Sequence, residues 1–140
     1  MMKNITKKYL TDLTHEIIGA AIEVHKEMGP GLLEKVYEVC MIQELGLRGI
    51  KVKSQQTIPV FYKGIPLDAE LRYDLFVEDC IVVELKAVIE MIPIFNAQAM
   101  SYAKLLKMPK AILINFTCTN IFQKGQKTFV NELFSALPDD

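Results

Sequence analysis

At 140 residues the chain has the size of one domain and can bury a core without staples. Its 51% hydrophobic and 24% charged residues are the balance of a soluble globular protein, which excludes disordered and fibrous classes. A net charge of −1 argues against a stand-alone DNA-binding module, which is usually basic. A nuclease stays open, because clustered catalytic carboxylates lower the total while local lysines can still contact phosphates.

No apolar run approaches the roughly 18 residues that span a bilayer. The basic first eight residues lack the apolar core of a signal peptide, so a cytoplasmic protein is expected. Cys40, Cys80 and Cys118 lie far apart in apolar stretches and read as small buried hydrophobes. With His15 and His25 they do not reach the ligand spacing of a zinc site.

In chain order, Leu13, Ile17, Ala20, Ala21, Val24 and Met28 predict an amphipathic helix over 10–28, entered at Thr11 or Asp12 as a cap and broken by Gly29-Pro30-Gly31. A second helix is expected over 31–46, with Leu33, Val36, Tyr37, Cys40, Met41 and Leu45 as its stripe and Gly46 and Gly49 closing it. The period then changes. Residues 51–62 favour a strand, and 63–66 a turn. Residues 69–77 and 80–86 form a hairpin around Glu78-Asp79. A helix over 94–107 and a buried strand from Lys110 to Phe116 follow, and 127–136 is open between a strand and a helix. The order α-α-β-β-β-α-β predicts a single α/β domain over 1–140, with a mixed sheet of about four to five strands flanked by helices.

The stretch Cys80-Ile-Val-Val-Glu84-Leu-Lys86 concentrates the chemistry. Strand residues two apart share a face about 7 Å apart, so Glu84 and Lys86 point one way and Ile81, Val83 and Leu85 the other. They could be a weak pair on the solvated end of a strand. Asp74 adds a reason to think otherwise. A three-residue loop centred on Asp79 would set it opposite Glu84, roughly 5 Å away, where like charges repel unless a cation lies between them. Mg²⁺ suits such a gap. A two-residue turn would shift the pairing by one.

Asp74 followed ten residues later by Glu84-x-Lys86 resembles the core motif of the PD-(D/E)xK nucleases, with Tyr73 where the family name has proline. Gly31-Leu-Leu-Glu34-Lys-Val-Tyr37 resembles the signature of the GxxExxY family, and Gln98-Ala-Met-Ser-Tyr102 the QxxxY element of RecB-like nucleases. The resemblance implies a restriction-endonuclease-like core and hydrolysis of DNA phosphodiesters. It implies Mg²⁺, with Mn²⁺ able to substitute, held by Asp74, Glu84 and the Leu85 carbonyl, with Glu34 reaching in from its helix either as a ligand through water or to position a second ion. Lys86 would orient or deprotonate the attacking water, and Gln98 and Tyr102 would hold the substrate backbone or the site lysine.

Each residue also has a plainer reading. Glu34 and Gln98 could be solvated, Tyr37 and Tyr102 core, and Gly31 conformational. Lys104, Lys107 and Lys110, and Lys124 and Lys127, form basic clusters that are either solvated faces or phosphate contacts. The runner-up function is an inactive nuclease-fold module that binds nucleic acid or a protein. A third is an oligomeric partner presenting Ile92, Ile94 and Phe95, and a homodimer is compatible with either.

Overall fold

The first helix starts earlier than the sequence pattern predicts. In the computed structural model, which describes residues 4–140, α1 spans Lys7–Met28. Thr6 is the cap, its hydroxyl accepting from the Tyr9 amide at 3.0 Å. Thr11 lies inside the helix and donates to the Lys7 carbonyl at 2.9 Å instead. Leu10 extends the buried stripe of Leu13, Ile17, Ala20, Ala21 and Val24 by one turn, and that burial outweighs a cap at Thr11. Met28, expected in the stripe, is exposed.

Helix α2 spans Glu34–Leu47, three residues later than expected. Gly29 and Gly31 both take positive φ, +72° and +96°, so the chain turns sharply before it can wind again. Tyr37 fixes this turn. Its hydroxyl donates to the Gly29 carbonyl at 2.6 Å and accepts from the Leu32 amide at 3.1 Å, while its ring stacks on Phe116 at 4.4 Å. Tyr37 is fully buried, so packing and anchoring are its observed role. Of the expected stripe, Leu33 and Val36 face solvent, and Glu38 is buried instead. Tyr37→Phe removes both hydroxyl contacts and is expected to lower unfolding free energy by about 1–2 kcal/mol, read from a urea melt.

The predicted 51–62 strand divides in two. β1 spans Val52–Ser54 and β2 Val60–Tyr62, and β2 pairs with β3 (Ile65–Leu67) as a separate two-stranded hairpin. Gln55 sits between them with φ +52°, a left-handed conformation that interrupts a regular strand. β4 spans Leu75–Val77 and β5 Ile81–Lys86. α3 spans Pro93–Leu105, with proline in its first turn. β6 spans Lys110–Asn115, and a π-helical turn over Ile121–Gly125 leads into β7 (Gln126–Val130) and α4 (Glu132–Ser135). The ambiguous 127–136 segment thus holds the end of a strand and then a short helix.

Five strands form one mixed sheet in the order β1-β4-β5-β6-β7. β5 and β6 are parallel, linked by α3, and the other neighbours are antiparallel. One face, with Ile81, Val83, Leu85, Ile112 and Ile114, packs with apolar residues of α1 and α2 in one core. The other, with Phe76, Val82 and Ala111, packs with Ala99, Tyr102 and Ala103 of α3. A mixed sheet clad this way is the restriction-endonuclease-like α/β fold. No described helix is long and apolar enough to cross a membrane.

Lys110 does not join Lys104 and Lys107 in an exposed cluster. It is buried at the start of β6 with its amine 5.7 Å from the Phe134 ring, and burial pulls its pKa down. Cys80 is buried and Cys40 and Cys118 half-buried, all three outside any disulfide.

Candidate active site

The β4–β5 hairpin sets the geometry. Glu78 and Asp79 both adopt left-handed φ, +51° and +53°, and the Val77 carbonyl accepts from the Cys80 amide at 3.0 Å. Cys80 is then an extra residue before pairing resumes at Val77 with Ile81. Leu75 pairs with Val83, so one more step of the register sets Asp74 opposite Glu84, as the three-residue loop requires.

The two acids clasp each other's strand. Glu84 Oε2 accepts from the Asp74 amide at 2.8 Å, and Asp74 Oδ2 accepts from the Leu85 amide at 2.8 Å. Glu84 is only 4% exposed, a charge buried among the apolar residues of β5. Leu85 points its side chain into the opposite core.

Lys86 shares the Glu84 face. Its amine stands 4.5 Å from the Phe95 ring centroid and donates to Gln98 Oε1 at 3.4 Å. Gln98 in turn donates from Nε2 to the Tyr102 hydroxyl at 3.0 Å. The α3 residues at i and i+4 therefore form a rail beside the lysine, and the Tyr102 ring also packs in the core, so both of its readings hold. Phe95, read from the sequence only as an exposed-capable apolar residue, lies under the lysine.

Glu34 opens α2, where the helix dipole favours a carboxylate. It comes from the opposite layer to the end of β5. Burial raises its pKa, Lys86 lowers it, Asp74 raises it, and the Ala87 backbone lowers it. These influences place Glu34 in the electrostatic field of Asp74 and Lys86.

Two further residues belong to this cluster. Glu38, one turn after Glu34, is 4% exposed and accepts from Lys35 at 2.8 Å and from Gln55 Nε2 at 2.6 Å. Gln55 also donates to Asp74 Oδ1 at 3.2 Å. Spacing offered one clue, because Glu38 stands beside Tyr37 in the frame of Met41 and Leu45. Nothing in the sequence near Gln55 flags it.

The electrostatics are those of crowded acids. Burial first, then Asp74, pushes Glu84 up to about 8, against the Asp74 amide and Lys86, which pull it down. Burial also raises Asp74, opposed by the Leu85 amide and the Gln55 side chain. Tyr102 is raised by burial and by Glu84.

Among the described residues, no three His, Cys, Asp or Glu side chains are gathered tightly enough to hold a metal ion alone. A hard divalent cation needs less, one or two carboxylates completed by water and substrate oxygens. The all-oxygen donors of Asp74 and Glu84, mutually repelling and poorly hydrated, fit such a cation and suit no soft metal. A concavity of about 560 Å³ lies elsewhere, between the end of α3 and β7 beside Lys104, Lys107, Phe129 and Leu133. None of the crowded acids lines it.

Residues 11–128 match the PD-(D/E)XK nuclease superfamily. The chain belongs to that superfamily. The match spans most of α1, all of α2, the acidic hairpin and the α3 rail. No curated protein matches the chain, and no solved structure does. Within the superfamily, nuclease-type phosphodiester hydrolysis assisted by a divalent metal is the general chemistry. The PD-(D/E)XK hairpin here places Asp74, just before β4, against Glu84, with Lys86 two residues on along β5.

Proposed function

We propose that this PD-(D/E)XK protein is a Mg²⁺-dependent nuclease that cleaves DNA phosphodiesters by water attack, with Mn²⁺ able to substitute. One observation carries the reading. Glu84 is a buried carboxylate that feels a second carboxylate, Asp74, most strongly among the charged groups, then an amine, Lys86. Such crowding is costly in a resting fold and useful where a cation and a phosphate must be gripped. Gly31, Glu34 and Tyr37 further favour a place among the GxxExxY proteins, because Tyr37 anchors the turn that delivers Glu34 to the end of β5.

Asp74 and Glu84 would hold the ion, with the Leu85 carbonyl as a backbone ligand and Glu34 assisting from its helix. The bound cation supplies charge neutralisation on the scissile phosphate and lowers the pKa of the attacking water. The chain does the rest. Lys86 orients that water and offsets the negative charge that builds on the phosphoryl oxygens. Gln98 and Tyr102 keep the Lys86 side chain extended over Phe95, so the amine is already in place when substrate arrives. The site lies outside the large α3–β7 cavity, as suits a polymer drawn across a surface.

Purified protein incubated with single- and double-stranded DNA should cut at least one of them when Mg²⁺ or Mn²⁺ is added, and a chelator should stop it. Intact DNA of both kinds, with no shift in melting temperature on adding metal, would reject the enzyme and leave a nuclease-fold binding module.

A further inference from the structure

Asp74 is held from outside the acidic pair. Gln55 contacts it twice, its backbone amide donating to the Asp74 carbonyl at 3.1 Å and its side-chain Nε2 to Oδ1 at 3.2 Å. The same Nε2 donates to Glu38 Oε1 at 2.6 Å, and the other Glu38 oxygen accepts from Lys35 at 2.8 Å. A carboxylate 4% exposed on a helix stripe needs a reason to be there, because apolar residues fill that frame at Tyr37, Met41 and Leu45. The left-handed backbone of Gln55, φ +52°, is a second cost at the same point. Both costs are spent on one contact chain that ends on Asp74.

We propose that Glu38 and Gln55 are positioning residues that fix the Asp74 carboxylate from α2, themselves contacting neither cation nor substrate. With Oδ2 on the Leu85 amide and Oδ1 on Gln55, Asp74 is restrained at both oxygens, so its side chain cannot swing away from Glu84 when the ion leaves. The arrangement follows the general logic by which groups behind a metal ligand orient it. It also ties α2, which carries Glu34, to the segment entering β4 that carries Asp74, so the two acids move as one unit. This inference rests on the cation-binding role given to Asp74 above.

The test measures Mn²⁺ affinity of the metal-free protein by calorimetry, well below the melting temperature, for the parent and three variants. Glu38→Ala and Gln55→Ala should each weaken Mn²⁺ binding by about 10- to 100-fold. Glu38→Gln keeps an acceptor oxygen for Gln55 and should stay within about threefold of the parent, which a ligand carboxylate could not do. If Glu38→Gln falls as far as Glu38→Ala, Glu38 acts by its charge as a ligand and the positioning role is overturned. Parent-like affinity in Gln55→Ala also overturns it. Should Glu38→Ala fail to fold, Gln55→Ala and Glu38→Gln decide the matter between them. A parent protein that binds no Mn²⁺ would instead reject the metal reading itself, and the relay with it.

Discussion

Replacing Lys86 by alanine should reduce phosphodiester cleavage by about a thousandfold while Mn²⁺ affinity changes little, because a positioned donor or proton-transfer group typically contributes 10²–10⁴ in rate. The asymmetry between the two readouts is the point. Lys86 is no donor to a cation, and its amine is held by Gln98 and the Phe95 ring rather than by the acids. Its positive charge nonetheless reaches Glu34, Asp74 and Glu84, lowering the pKa of each. Removing it leaves the acids free to hold an ion, with slightly less competition from a neighbouring cation and slightly more from protons. The phosphate, by contrast, loses its only amine on the Glu84 face of β5. A comparison of single-turnover cleavage with calorimetric Mn²⁺ binding separates the effects. Cleavage equal to the parent's would remove Lys86 from the chemistry. Loss of both together would mean that the lysine organises the acids instead.

How far such a site is legible in a sequence depends on whether its members are joined by local rules. Glu84 and Lys86 share a face because strands alternate, and Asp74 faces Glu84 because a hairpin of given loop length has one register. Loop length is the one step that these local rules leave open. The structure settles it through the left-handed pair Glu78-Asp79 and the extra residue Cys80. Gln98 and Tyr102 share a face because they are one helical turn apart, and their hydrogen bond follows from that spacing. The five-strand mixed sheet followed from the alternation of periods.

Glu38 and Gln55 have no such rule. They meet across α2 and the β1 exit, and only tertiary packing brings a helix glutamate within 2.6 Å of that amide. Helix ends failed for a related reason. Thr11 and Thr6 are equivalent as cap types, and burial of Leu10 chose between them. Lys110 is close to Lys104 and Lys107 in sequence, yet strand β6 draws it into the protein while Lys104 and Lys107 stay on the rim of the cavity. The strand expected over 51–62 ended early because Gln55 leaves the β region, a conformation that residue type alone does not announce.

Glu84→Gln should produce opposite changes in stability with and without metal. In the metal-free protein Glu84 titrates near 8 rather than at its ordinary 4.5, mainly because burial and Asp74 penalise the charged form. A folded pKa above the unfolded one means that the folded state binds more protons across that interval. Stability of the metal-free protein therefore falls as pH rises from about 4.5 to about 8, and the whole penalty is present above it. At about 1.4 kcal/mol per unit the ceiling is several kcal/mol, and relaxation with water entry leaves on the order of 2 kcal/mol. Gln at position 84 carries no charge to desolvate and none to repel Asp74, while its amide oxygen can still accept from the Asp74 backbone. In chelator at pH 8 the variant should melt about 5 °C above the parent, at roughly 2–4 °C per kcal/mol for a chain of this size. Saturating Mg²⁺ reverses the order. The parent gains about 2.7 kcal/mol at a hundredfold excess over its dissociation constant, and the variant, lacking one of two carboxylates, gains almost nothing. Such a crossing is what separates an acid kept for a cation from one kept for the fold. A variant that melts below the parent in chelator at pH 8 would show that the Glu84 carboxylate, charged and paired with the Asp74 amide, stabilises the empty protein, and the strain taken here as the mark of a cation site would not exist.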